Sequence, residues 1–175
     1  MTTVRPAVRL GVRSVTWACL LPGVVAGYVP WRYLGLARVR VPWADPVDLL
    51  GVALVGLGAA LLAACIADFA RRGRGTLAPV DPPTALVVEG PYRYVRNPMY
   101  LGVATILLGE LAVTRLPALL VYWAAVLAAF HLFVVLYEEP ALRRRFGPAY
   151  EKYARGVGRW IPSRPPRAAA RHLPR

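Results

Sequence analysis

The sequence contains few of the side chains on which metal sites and nucleophilic catalysis depend. Its 175 residues include two histidines, two cysteines and nine acidic residues, and the histidines lie far apart at His131 and His172. An H-x-x-x-H pair, a Walker phosphate loop and a G-x-G-x-x-G motif are all absent. We therefore expect no metal site. Cys19 and Cys65 lie in separate apolar runs, which favours buried free thiols over a disulfide.

Acidic residues are also scarce relative to basic ones. The formal net charge is +13, which indicates a polyanionic partner, either nucleic acid or the anionic face of a membrane. Hydrophobic residues make up 57% of the chain, and several apolar runs are as long as a membrane helix. A nucleic-acid-binding protein of this size would not carry such runs, so the composition predicts a membrane protein without a nucleic-acid partner.

The apolar runs predict an all-α integral membrane protein with about four transmembrane helices, at residues 12–28, 47–69, 98–113 and 118–137. We expect Pro22 to kink the first helix and Pro30 to mark its exit. The third run is short for a full crossing, so the third and fourth helices are expected either to form a shallow hairpin or to lie in a locally thinned bilayer. A cytosolic C-terminal helical segment comes after the fourth helix and is broken at Gly147.

This pattern divides the chain into three segments. Residues 1–74 form a membrane anchor with two spans, residues 75–162 form a core with two spans, and residues 163–175 form a basic tail that is predicted to be disordered. Most arginines lie before the first span, between the second and third, and after the fourth. The positive-inside rule therefore places these regions and both termini in the cytoplasm, with the protein in an inner or plasma membrane.

The second span carries two further signals. Asp45 or Asp48 is expected to cap its N-terminus. Small residues predict a face on which another membrane helix packs closely. This face consists of Gly51, Gly56, Gly58, Ala59 and Ala60.

Polar side chains concentrate in two stretches that this topology places on one side of the membrane. The first is residues 89–102 (EGPYRYVRNPMYLG), and the second is residues 137–139 (YEE). Arg93 fits two interpretations equally well: a residue of a functional site, or a cation that anchors the chain beside a span. Arg96, in contrast, directly precedes a helix that begins at Pro98, and a guanidinium at a helix N-terminus is suited to a carboxylate. We predict that the two stretches close over one cofactor.

Acidic and titratable residues near the third and fourth spans have competing interpretations. Glu138 and Glu139 either pair with the arginines at 143–145 on a solvated helix or accept hydrogen bonds from a ligand's hydroxyl or ammonium groups. Glu110 lies near the end of the third helix and can reach the interface. His131 is more often a packed, hydrogen-bonded residue than a ligand at such a position.

The two polar stretches, extended to GPYRYVRNPMYLG (residues 90–102) and EEPALRRRFGPAYEKYARGVGRWIP (residues 138–162), resemble the isoprenylcysteine carboxyl methyltransferase family and its phospholipid methyltransferase relatives. The resemblance covers residues 75–162, about half of the chain. It implies an integral membrane methyltransferase that uses S-adenosylmethionine, with a cofactor pocket facing the cytosol and a lipid-side opening for the acceptor.

The resemblance also implies which residues form the site. The family's R-H-P-x-Y-x-G motif falls on residues 96–102, with Asn97 in place of the usual histidine. Asparagine can donate a hydrogen bond but does not titrate near neutral pH. The residues expected to act in catalysis are Arg96, Asn97 and Glu139. Those expected to bind the cofactor are Tyr92, Arg96, Asn97, Tyr100, Gly102, Glu138, Glu139, Tyr150 and Tyr153.

Two other functions are compatible with the same features. One is a membrane reductase of the sterol-reductase type, which would need a site for the 2′-phosphate of NADPH. The other is a non-enzymatic membrane protein whose basic tail binds anionic lipid. For a methyltransferase, the acceptor can be a prenylcysteine carboxylate, a lipid amine, a thiol or a phenol, and the residues do not decide among them. The oligomeric state is also open.

Overall fold

The computed structural model describes residues 21–36, 45–72 and 86–163, without the side chains of residues 69–72. Within these ranges the chain is mainly helical and forms no β-strand, apart from an isolated parallel bridge between Val95 and Gly158. The all-α prediction is therefore correct for the described part. The start of the first span, the thiol of Cys19 and the expected disorder of the tail lie outside the described residues.

The helices occur in the order expected from the apolar runs. Their bounds are α1 with a π-helical part (Val24–Tyr28) and an α-helical part (Val29–Tyr33), α2 (Pro46–Arg72), α3 (Pro98–Thr114), α4 (Pro117–Phe133) with a π-helical continuation (Val134–Glu138), α5 (Glu139–Phe146) and α6 (Pro148–Gly156). Proline stands in the first turn of α3, α4, α5 and α6. In α3, α4 and α6, each preceded by a non-helical residue, proline is favoured because its missing N–H would have no helical partner anyway.

Two prolines and a glycine shape these helices. The interruption expected at Pro22 corresponds to the π-helical segment that starts at Val24. The helix continues past the expected exit at Pro30, which is buried inside Val29–Tyr33, and ends before Leu34, whereas the point at which the span leaves the membrane stays a prediction. Proline is tolerated here because it lies in the first turn after the wider π segment. The predicted break at Gly147 is confirmed, and its φ of 49° favours glycine.

Helices α2 and α3 pack backbone against backbone. A Cβ added at Gly58 would lie 2.6 Å from the carbonyl oxygen of Gly102, and one added at Gly109 would lie 2.5 Å from that of Gly51. The predicted small-residue face is therefore correct for Gly51 and Gly58, which are about two helical turns apart. It is wrong for Gly56, which faces open space, and for the exposed Ala59 and Ala60.

The turn between α3 and α4 is fastened to the start of α2. Arg115 adopts a left-handed conformation, with φ of 53°, and its Nη2 lies 2.6 Å from Asp45 Oδ2 and 3.1 Å from Asp48 Oδ1. Asp45 also accepts a hydrogen bond from the Val47 amide at 2.9 Å, so Asp45 is the cap and the fully buried Asp48 is an ion-pair partner. Trp123 of α4 donates a 3.0 Å hydrogen bond to the Ala104 carbonyl of α3, so the two helices pack together after this turn, and the depth of their hairpin in a membrane stays a prediction.

Two helices are long and apolar enough to cross a membrane, Pro46–Asp68 and Pro117–Phe146. Only 22% and 17% of their most apolar windows are buried, so most of each surface is available to lipid. Helix α3 is shorter, at 17 residues, as its apolar run predicted. Of the four expected spans, two are thus supported by helices of the described chain.

The α2–α3 contact makes a testable prediction. We expect Gly58→Ala to destabilise the protein by about 1–3 kcal/mol, because the added methyl group would meet the Gly102 backbone. Gly56→Ala is the matched control on the same helix; it adds the same methyl group where space is open and should leave stability unchanged or raise it by about 0.5–1 kcal/mol. Thermal unfolding in detergent measures both, and equal losses in the two variants would contradict the packing.

Candidate functional site

The start of α3 is held in place from both sides. On one side, a Cβ at Gly90 would collide with the carboxylate of Asp68 on α2, and Gly90 has a φ of 56°. Only glycine meets both conditions without strain. On the other side, the Arg96 amide donates a 2.9 Å hydrogen bond to the carbonyl of Gly158. These contacts fix the position from which the Arg96 side chain extends.

The twin glutamates lie where a π-helical turn meets α5. The sequence predicted one continuous helix through this region, whereas residues Val134–Glu138 are π-helical and Glu139 begins α5. A π turn inserts an extra residue and rotates the side chains beyond it about the helix axis, and such turns are frequent at functional sites. Glu139 is buried, with 7% of its side chain exposed.

Glu139 is surrounded by guanidinium groups. Its Oε1 lies 3.0 Å from Arg96 Nη1 and accepts a 2.6 Å hydrogen bond from Arg159 Nε. Its Oε2 accepts a 3.0 Å bond from Arg159 Nη2 and lies 4.0 Å from Arg143 Nη2. The spatial prediction that Arg96 and the twin glutamates meet is therefore correct. The predicted alternative of pairing with residues 143–145 holds only in part, through the longest of these contacts.

Tyr150 and Tyr153 project from one face of α6, as their spacing predicted, with ring centroids 6.3 Å apart. The buried Tyr150 hydroxyl accepts a 3.3 Å hydrogen bond from Arg96 Nη1, so it supports the guanidinium. The Tyr153 hydroxyl donates a 2.7 Å bond to the Tyr92 carbonyl. Burial raises the pKa of both phenols, which therefore remain neutral hydrogen-bonding groups.

A second group of polar side chains surrounds Glu138. The Tyr100 hydroxyl donates a 2.9 Å hydrogen bond to Glu138 Oε2. Burial raises the pKa of Tyr92, so its phenol also stays neutral. The Tyr100 ring packs against Phe130 of α4 at a centroid distance of 4.7 Å. Glu138 thus lies among neutral hydroxyl groups, while Glu139 lies among cations.

Asn97 and Gly102 take positions that the sequence did not predict. The buried Asn97 donates from Nδ2 to the carbonyl of Arg159 at 3.1 Å, so its amide fastens the C-terminal part of the chain to the start of α3. Gly102 faces α2, where an added Cβ would lie 2.9 Å from Leu62 Cγ. Its missing side chain serves helix packing, and the structure does not bring it together with the polar groups.

Arg159 is the main contact that reasoning from the sequence missed. It lies in the stretch GRWIP, which belonged to the resemblance but was given no role. A possible signal was an arginine beside a tryptophan just after the last predicted helix. Trp160 donates a 3.2 Å hydrogen bond to His131 Nδ1, which confirms His131 as a hydrogen-bonded residue. Glu110 lies outside the site, and its buried Oε2 has no hydrogen-bond partner in the described chain.

Two groups at the centre of the site retain hydrogen-bonding capacity. Arg96 Nε is buried and has no hydrogen-bond partner among the described residues. Glu138 accepts one hydrogen bond, from Tyr100, whereas both oxygens of Glu139 are occupied. A buried cationic donor, together with a carboxylate adjacent in sequence to the Glu139 that contacts it, suits a ligand that carries both a carboxylate and an ammonium group. In the described ranges, no group of three His, Cys, Asp or Glu side chains could hold a metal ion.

The different surroundings of the two glutamates predict different effects on stability. We expect Glu139→Gln to lower the free energy of unfolding by about 1–3 kcal/mol, because it leaves the largely buried Arg96 and the partly exposed Arg159 without a counter-charge. Glu138→Gln keeps the hydrogen bond from Tyr100 and removes no ion pair, so its effect should be below about 1 kcal/mol. Thermal unfolding of both variants in one detergent provides the measurement. A larger loss of stability in Glu138→Gln than in Glu139→Gln would contradict the different surroundings assigned to the two glutamates.

The chain was compared with known proteins in three ways. A family model described as phospholipid methyltransferase matches residues 47–149, more than half of the chain. The matched region begins in α2, includes Arg96 and both glutamates, and ends before Arg159. Searches of curated proteins and of solved structures each give no significant match. The chain therefore belongs to the phospholipid methyltransferase family, within the isoprenylcysteine carboxyl methyltransferase-like group.

Proposed function

We propose that this chain is a membrane methyltransferase that binds S-adenosylmethionine around Arg96 and Glu138 and methylates a lipophilic acceptor. The observation that carries the proposal is unused hydrogen-bonding capacity: within the described chain, the buried Arg96 Nε has no partner, and Glu138, the neighbour in sequence of the Glu139 that contacts Arg96, accepts a single hydrogen bond. The methionyl part of the cofactor carries a carboxylate and an ammonium group. The two side chains supply the complementary charges.

Each residue has a chemical task in this proposal. S-adenosylmethionine carries the transferable methyl group on a sulfonium sulfur. The acceptor attacks this methyl group and displaces the sulfur, a reaction that needs no metal. Arg96 binds the carboxylate, helped by the N-terminus of α3. Glu138 accepts hydrogen bonds from the ammonium group or the ribose hydroxyls. Tyr92 and Tyr100 line the cofactor, and their aromatic faces favour a cation. The protein contributes alignment and exclusion of water.

Five residues expected to act on the cofactor receive supporting tasks instead. Glu139 holds Arg96 in position, since both of its oxygens are used by arginines. Asn97 holds the carbonyl of Arg159 and is not available as a proton acceptor. Gly102 permits the close approach of α2 and α3. The side chains of Tyr150 and Tyr153 fix Arg96 and the backbone of Tyr92.

The acceptor enters from the membrane. The family points to a lipid, and the long apolar surfaces of α2 and α4 are exposed beside the site. A carboxylate acceptor would need no base, because it attacks as the anion. An amine acceptor would lose a proton, which Asn97 cannot take because its side chain does not titrate. The excess of arginine places the cofactor side in the cytoplasm.

The proposal predicts specific binding of S-adenosylmethionine. Purified protein in lipid nanodiscs should bind it, and Glu138→Gln should weaken binding about tenfold or more, because a charge-assisted hydrogen bond is lost. Glu151→Gln is the matched control: it removes an acidic side chain that pairs with Arg143 near the protein surface and should leave binding unchanged. Calorimetry measures the dissociation constants.

A second measurement identifies the product. Membranes containing the protein are incubated with a methyl donor labelled on the methyl group, and label is expected in extracted lipid. Wild-type protein that does not bind the donor, or that binds NADPH in competition with it, would contradict the proposal. Label in lipid that is unchanged in Glu138→Gln would remove Glu138 from the site.

A further inference from the structure

Residues 157–163, here called the strap, return the C-terminal part of the chain to the start of α3. Val95 and Gly158 form a parallel bridge, in which the Arg96 amide donates to the Gly158 carbonyl at 2.9 Å. The Ser163 amide donates to the Tyr94 carbonyl at 2.8 Å. The strap is thus held at both of its ends by backbone hydrogen bonds.

The strap also has a defined internal shape. The Gly158 amide donates to Ser163 Oγ at 3.2 Å, which closes a turn across the segment. A Cβ at Gly158 would collide with the Ile161 carbonyl, so the turn requires glycine. Between these fastenings, the Arg159 carbonyl is held by Asn97 Nδ2 at 3.1 Å. The backbone therefore fixes the point from which the Arg159 side chain extends.

The guanidinium of Arg159 binds the carboxylate of Glu139 through two nitrogens. Nε and Nη2 donate to the two carboxylate oxygens at 2.6 Å and 3.0 Å, a bidentate arrangement that sets both the position and the rotation of the carboxylate. Arg96 is consequently restricted to one contact with this carboxylate, from Nη1 to Oε1 at 3.0 Å. Its Nε stays without a hydrogen-bond partner among the described residues.

From this geometry we infer that Arg159 is a positioning residue for the cofactor site, acting through Glu139 on Arg96. The inference rests on the proposed function. With Arg159 present, Glu139 cannot turn to accept a second hydrogen bond from Arg96, and Arg96 Nε remains available to the ligand's carboxylate. Without it, Oε2 keeps only Arg143 at 4.0 Å, and the carboxylate can move to the edge of the Arg96 guanidinium where Nε and Nη2 donate in parallel. The donor that the cofactor needs would then be occupied.

The effect of Arg159 can be separated from the docking of the strap. The hydrogen bonds that hold the strap at Arg96, Asn97 and Ser163 use backbone atoms of the strap or the Ser163 hydroxyl. None of them uses the Arg159 guanidinium. Truncating the side chain should therefore leave the strap in place. Hydrogen exchange of the Arg96 amide reports this directly, because that amide donates to the strap.

The experiment compares binding of S-adenosylmethionine to the full chain and its variants in nanodiscs. We expect Arg159→Ala to weaken binding about ten- to a hundredfold, the range set by the loss of charge-assisted hydrogen bonds that order the site. Arg155→Ala is the matched control, since it removes an equal charge from the exposed end of α6 and should change binding less than about twofold. Arg159→Lys keeps the charge without the bidentate geometry and should fall between wild type and Arg159→Ala.

Chemical rescue provides a readout that strap docking alone would not change. Added guanidinium ion should restore most of the binding lost in Arg159→Ala and should not improve wild type, because the free ion can occupy the place beside Glu139. Unchanged binding in Arg159→Ala overturns the inference while leaving the proposed function intact. Lost binding with an exposed Arg96 amide and no rescue also overturns it, in favour of a purely structural role. Failure of wild-type protein to bind refutes the proposed function itself.

Discussion

The carboxylate of Glu139 joins three parts of the chain that are distant in sequence. Arg96 reaches it from the start of α3, Arg159 from the strap, and Glu139 itself begins α5. Burying a charged group is costly unless it is paired and fully hydrogen-bonded. Here both oxygens accept charge-assisted bonds, and the pKa of Arg159 is raised by its hydrogen bonds to the carboxylate. The site is organised around an interaction that leaves little tolerance for movement of any one segment.

Helix packing determines whether this interaction can form. Helix α3 lies against α2 at the distance of contacting backbones, because Gly58 and Gly102 leave no side chain between them. Gly90 lies against Asp68 of α2 and begins the 3₁₀ turn Gly90–Arg93, which precedes α3. The position of Arg96 therefore depends on contacts that involve no ligand. The small residues between α2 and α3 thus set the position of the charged residue at the start of α3.

Much of this arrangement could be predicted from the sequence, and the exceptions have physical causes. Apolar runs and prolines predicted the helices well, because length and the missing proline N–H act locally. The predicted topology allowed Arg96 to meet the glutamates, because it placed them on one side of the membrane, but it did not require the contact. The assignment of Glu138 and Glu139 to different tasks could not, because a π turn changes the direction of adjacent side chains and leaves no mark in the sequence. Gly56 was misassigned since composition does not show which face of α2 meets α3.

Asn97 explains how a departure from the related motif can be compatible with an intact site. Its amide N–H donates to the Arg159 carbonyl, and an imidazole N–H can donate in the same way. Exchange of one for the other preserves the link to the strap and removes only a titrating group. If Asn97 holds the strap, then it also supports Arg159, and through Glu139 it supports Arg96. The residue at this position then contributes to the order of the proposed cofactor site, and in that proposal any proton released by the acceptor must leave by another route.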